Sequence, residues 1–87
     1  MRYLIAAELQ TLGKNYEGFT EEIKSLGNGA WWHYLNSVWM VDSDFGIQMI
    51  DIRLRAHLGQ NDRLLISPIA GPYLGILLPE AWTWLNR

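Results

Sequence analysis

Along this chain the apolar positions recur with two different periods, and the places where the period changes mark its elements. Arg2 to Leu9 is mostly apolar, as a strand buried on both faces would be, and is predicted as the first strand. Gln10 to Lys14 is then a loop containing Gly13. Tyr16, Phe19, Ile23 and Leu26 next fall on one helical face, while Glu17, Glu21, Glu22 and Lys24 lie mostly elsewhere. That spacing predicts a helix from about Tyr16 to Leu26. Asn15 suits its N-cap and Gly27 its C-terminal end, with Asn28-Gly29 as the turn that follows.

The period then shortens to two. Ala30-Trp31-Trp32-His33-Tyr34-Leu35 and Val38-Trp39-Met40-Val41 are rich in aromatic and β-branched residues, and are predicted as two strands around a tight Asn36-Ser37 turn. The helical period returns with Ile47, Ile50, Leu54 and either His57 or Leu58. It predicts a second helix from about Phe45 to Leu58, capped by Ser43 or Asp44 and stopped by Gly59. A polar loop, Gln60-Asn61-Asp62, leads through Arg63 into a last strand, Leu64 to Ser67, closed by Pro68. After Ala70-Gly71-Pro72, the apolar stretch Tyr73 to Leu78 suits an extended segment, and Pro79-Glu80 opens a short helix carrying Ala81, Trp82 and Leu85.

The order β-α-β-β-α-β predicts an α+β, ferredoxin-like fold: a four-stranded antiparallel sheet with two helices on one face, plus a C-terminal extended segment and short helix. Residues 1–70 form the core, and residues 71–87 a tail that packs on the core or on a partner protomer. The sheet face away from the helices needs cover, from a partner's sheet or from the aromatic tail. A chain of 87 residues buries a modest fraction of its surface. Its 49% hydrophobic content and five Trp compensate in part, and association into a homodimer is expected to do the rest.

The absence of cysteine excludes disulfides, thiol nucleophiles and Cys-ligated zinc. A net charge of −2 with only seven Lys and Arg argues against strong electrostatic binding to DNA. The start of the chain has no secretory pattern and no apolar run reaches the length of a membrane span, so a cytoplasmic protein without membrane contact is expected.

Glu8, near the end of an otherwise apolar strand, is a metal ligand or ligand-contacting carboxylate, or else a solvated strand end or one side of a salt bridge to a neighbouring Arg. Alternation sends Trp31 and His33 to one face of their strand, and Trp32 and Tyr34 to the other. One pair belongs to the core; the other can stack on a base or line an interface. Arg53, Arg55 and Arg63 are the candidates for phosphate contacts, against the alternative of a solvated helix face. His33 lacks zinc-ligand spacing with His57. Trp82 and Trp84, two apart on a helix, cannot both face one core, which makes one of them a candidate interface or ligand residue. No Gly-x-Ser-x-Gly, P-loop or dinucleotide motif occurs.

The opening Met1-Arg2-Tyr3-Leu4-Ile5 with an acidic residue near the strand's end, then a helix, then a hairpin with Asn36-Ser37-Val38-Trp39, resembles the CRISPR-associated protein two family. The likeness spans roughly residues 1–70. The whole chain, including Leu78-Pro79-Glu80-Ala81-Trp82-Thr83-Trp84-Leu85, resembles more closely a group of small bacterial and phage proteins labelled SinR-like, although it has no helix-turn-helix pattern. The resemblance implies a ferredoxin-like dimer with the first-strand carboxylates facing each other across the two-fold axis. It also implies a metal position, typically Asp, that Glu8 occupies here. Glu can ligate Mg²⁺ or Mn²⁺, but its extra methylene moves the oxygens.

Three functions are compatible with these features. The favoured one is a non-catalytic homodimeric binding protein that holds a nucleotide-like ligand or a partner in the cleft between protomers, without a cofactor. The second is a divalent-metal-dependent nuclease of the resembled phage-defence family, with Glu8 as its metal and catalytic residue. The third is a protein–protein adaptor whose aromatic tail is the contact surface.

Overall fold

In the computed structural model, which describes residues 1–27 and 29–87, the sheet is built on its first strand. β1 (Arg2–Glu8) is central: it pairs antiparallel with β3 (Val38–Asp42) on one side and with β4 (Arg63–Ile69) on the other. β2 (Trp31–Leu35) pairs antiparallel with β3 across the tight Asn36-Ser37 turn, so the strand order is β2-β3-β1-β4. With α1 (Glu17–Leu26), α2 (Ile47–Arg55) and α3 (Pro79–Leu85), the described residues form an α+β structure with a four-stranded antiparallel sheet and three helices. No described helix is long and apolar enough to cross a membrane. The predicted Asn28-Gly29 turn begins at Asn28, outside the described residues.

Strand alternation distributes β1 between two apolar layers. Tyr3, Ile5 and Ala7 are buried against α1 and α2, in a core with Phe19, Ile23, Leu26, Trp39, Val41, Ile50 and Leu54. The even positions face the other way. Leu4 packs at the edge of a second cluster made by Trp32, Met40, Ala81, Trp84 and Leu85. The tail is therefore the cover for part of the second sheet face. Trp32, the largest fully buried side chain, donates its indole N–H to the Ala81 carbonyl at 3.2 Å. Arg2 clamps the end of α3, donating to the carbonyls of Leu85 (2.7 Å), Trp84 (3.1 Å) and Arg87 (3.1 Å), with its guanidinium over the Trp84 ring.

Several predicted boundaries move, each for a local reason. α1 begins one residue late, with Tyr16 at its N-cap; Asn15 still contributes, its Oδ1 accepting from the Glu17 N–H at 2.9 Å. Gly27 caps the end without a left-handed φ. Glycine is needed there for space, since a Cβ would stand 2.6 Å from the Ala30 carbonyl oxygen. α2 is shorter than its periodic stripe. Ser43 Oγ accepts from the Phe45 N–H, holding the entry in a turn, and Gly46 becomes the N-cap. At the other end His57 and Leu58 donate to carbonyls three residues back, a tighter turn that ends the α-helix while keeping Leu58 against the core. β4 runs past Ser67 through Pro68 to Ile69, which an edge strand tolerates because its outward N–H positions need no partner. Tyr73 to Leu78 forms no strand.

Candidate functional site

The tail covers the second sheet face only in part, and the residues left open at one end define a cleft. Ala6 pairs with Val38 on one side and Leu65 on the other, and Glu8 pairs with Arg63, so these side chains share one face. With Gln10 and Ser37 they line a cavity of about 650 Å³. Its floor is apolar and its rim polar: Leu65 is 64% exposed, and Glu8 and Arg63 stand open to solvent. Glu8 Oε2 accepts from Gln10 Nε2 at 2.8 Å, and Arg63 Nη1 donates to the Asp62 carbonyl at 3.3 Å. Among the described residues the two charges form no ion pair with each other, although they are direct cross-strand neighbours. Each remains able to meet a ligand.

Behind this rim lies a knot centred on Asp62. Its Oδ1 accepts from the Gln10 N–H (2.7 Å), the Thr11 N–H (3.0 Å) and the Tyr16 hydroxyl, and its Oδ2 from the Gly59 N–H (2.6 Å). Burial pushes the Asp62 carboxyl up, but the Tyr16 hydroxyl and the Gly59, Gln10 and Thr11 amides outweigh it and hold it far below the usual aspartate range. The knot fixes the loop that carries Gln10 and the start of the strand that carries Arg63. Neither Asp62 nor Ser37 stands out in the sequence: one reads as a polar loop residue, the other as half of a hairpin turn.

The three candidate phosphate-binding arginines are not gathered. Arg53 is held by Glu22 Oε2 (Nη2 at 2.7 Å, Nε at 3.0 Å), and its guanidinium lies 4.7 Å from the centre of the Phe45 ring. The Glu22 carboxyl also meets His57 Nε2 at 3.2 Å and accepts from Ser25 Oγ. Burial raises its pKa, while the His57 and Ser25 contacts and Arg53 bring it below the ordinary glutamate value. Arg55 forms a fork on Asp51, one turn earlier on α2. Of the three, Arg63 alone has no carboxylate partner among the described residues.

The aromatic candidates divide by face. Trp32 and Trp84 are buried in the tail-side cluster, and Trp82 packs against it half-buried. Both tail tryptophans thus serve one cluster, the second from its margin. Tyr34 meets Trp32 edge-on at 5.3 Å. On the helix side, Lys24 lies 4.9 Å from the Trp31 ring centre, and His33 stacks flat on Trp39 at 4.2 Å. His33 Nδ1 sits 2.9 Å from the Val38 carbonyl, a hydrogen bond made by the tautomer with its proton on Nδ1. Trp31, His33 and Tyr34 line a separate opening of about 450 Å³ at the β2 edge. The aromatic opening at the β2 edge and the cleft that holds Arg63 are therefore separate.

Among the described residues, no group of three or more His, Asp or Glu could hold a metal ion. No family model, no curated protein and no solved structure matches this chain.

Proposed function

We propose that the protein is a non-catalytic, homodimeric binding protein that holds a nucleotide-like ligand in the cleft at the ends of β1 and β4. The observation that carries this is the cross-strand pairing of Glu8 with Arg63 at the rim of an apolar floor open to solvent, with no ion pair between them among the described residues. Arg63 suits a phosphate, and Glu8 with Gln10 and Ser37 suits sugar hydroxyls or a base edge. The ferredoxin-like reading, and with it the resemblance to the CRISPR-associated protein two family and a phage-defence setting, belongs to the same proposal. It is supported by the βαββαβ chain order and by two helices packed on one face of an antiparallel sheet. Dimerisation is supported by the small size of the chain and by the apolar side chains it leaves exposed.

Thermal denaturation with a panel of mono-, di- and cyclic nucleotides tests the ligand. A ligand at about a hundredfold above its Kd stabilises by about 2.7 kcal/mol, which a melt resolves. At least one member should raise the melting temperature, and Arg63→Ala should remove the shift. A flat response across the panel contradicts nucleotide binding.

A second reading, the protein–protein adaptor, has its own observation. Leu74 and Ile76 are 94% and 99% exposed on the tail. An adaptor should capture one defined protein at stoichiometric level and lose it on Ile76→Asp. The nuclease alternative requires divalent-metal-dependent cleavage that Glu8→Ala abolishes.

A further inference from the structure

The cleft at the ends of β1 and β4 carries one cation and one anion, and that ratio constrains its ligand. Among the described residues that line it, Arg63 alone is cationic, Glu8 alone is anionic, and none is aromatic. Val38, Ala6 and Leu65, cross-strand neighbours on β3, β1 and β4, make its apolar floor. The volume of about 650 Å³ lies within the roughly 300–1,000 Å³ of small-molecule sites. Glu8 Oε2 accepts from Gln10 Nε2 at 2.8 Å, which orients the carboxylate. The Gln10 main chain is itself anchored, its N–H donating to Asp62 Oδ1 at 2.7 Å. With its amide nitrogen given to Glu8, Gln10 keeps its Oε1 as a further acceptor. Arg63 donates through Nη1 to the Asp62 carbonyl, and its Nε and Nη2 make no hydrogen bond among the described residues.

We infer that this cleft takes a guanine nucleoside monophosphate, with the base edge on Glu8 and the single phosphate on Arg63. The inference rests on the nucleotide-binding reading above and names the base and the phosphate count. An ionised carboxylate only accepts hydrogen bonds, and Glu8 Oε2 keeps a second lone pair beside the one that Gln10 uses. Guanine presents a ring N–H and an exocyclic amino group side by side. The two carboxylate oxygens match that pair as they match an arginine fork. Adenine and cytosine set a bare ring nitrogen beside their amino group, so one oxygen would face a lone pair. Uracil sets its ring N–H between two carbonyls, which repel the carboxylate in the same way. With no aromatic side chain in the cleft to stack on every base alike, the base edge is what discriminates. The phosphate count follows from charge. One guanidinium fork suits one phosphate. Each further phosphate adds negative charge beside Glu8 with no second cation in the cleft to meet it, in a chain of net charge −2.

Isothermal titration calorimetry with GMP, IMP, AMP, GDP and GTP tests this, with circular dichroism to confirm that each variant folds. GMP should bind tightest. IMP, which lacks the amino group, should bind roughly tenfold more weakly, the worth of one charge-assisted hydrogen bond. AMP should be weaker still, and affinity should fall from GMP through GDP to GTP. Glu8→Gln replaces two acceptors by one donor and one acceptor, the pattern that pairs with adenine. It should weaken GMP roughly tenfold and strengthen AMP. Binding in which AMP or GTP equals GMP, or in which Glu8→Gln leaves GMP unchanged, overturns the guanine monophosphate assignment and leaves nucleotide binding standing. Absence of binding by all five also overturns the assignment, and if the wider melting panel is flat as well, the nucleotide reading falls with it.

Discussion

The Tyr16 hydroxyl donates to the Asp62 carboxylate across 46 positions of sequence, tying the N-cap of α1 to the loop that enters β4. The same carboxylate collects the Gln10, Thr11 and Gly59 amides, so one side chain organises three segments beside the cleft. Tyr16→Phe removes one donor and leaves the backbone contacts. The melting temperature should fall by about 4–8 °C, the equivalent of one ordinary hydrogen bond in a domain of this size.

The knot also sets the response to acid. A carboxyl held below its usual range contributes stability that is complete above the ordinary aspartate value near 3.8. That contribution is lost as pH falls from there towards the depressed folded value. Glu22, lowered from 4.5, acts in the same direction. Urea denaturation between about pH 7 and pH 2 should show stability falling below about pH 4, and Asp62→Asn should flatten that fall. An unchanged acid limb in Asp62→Asn would remove Asp62 from the explanation.

Adjacent tryptophans should behave differently. Trp32 is fully buried beneath α3, so Trp32→Ala should cost about 3–5 kcal/mol. Trp31 is at the β2 edge beneath Lys24 and is 37% exposed. Trp31→Ala should cost less than Trp32→Ala, because more than a third of the Trp31 side chain is already in contact with water. Equal losses in chemical denaturation would mean that the tail does not hold the second sheet face as described.

Gly27 should resist even the smallest substitution. A Cβ there meets the backbone carbonyl of Ala30, which cannot rotate away as a side chain could. Gly27→Ala should destabilise by about 1–3 kcal/mol, measured by equilibrium unfolding.

Periodicity made much of the fold legible. The Phe19, Ile23, Leu26 stripe, the Asn36-Ser37 hairpin and the alternation of Trp31 to Tyr34 all lie where spacing places them, because one buried face enforces a period. Features that depend on distant partners were not visible. Asp62 is one acid among several until Tyr16, Gln10 and Gly59 are folded around it. The end of α2 is set by hydrogen bonds that tighten at Leu58, although the apolar period runs on through that residue. Of the cleft, Glu8 and Arg63 were singled out separately; their adjacency follows from the β1–β4 register, which neither strand specifies alone.

The most direct test of the central proposal is native mass spectrometry of freshly purified protein, without added nucleotide or metal, on the wild type and Arg63→Ala. A dimer carrying an extra small mass, released as a phosphate-bearing compound and absent from Arg63→Ala, is the expected result. A species that retains the same bound mass in Arg63→Ala, or a protein that remains bare here and in nucleotide melts, would contradict ligand binding in the Glu8–Arg63 cleft.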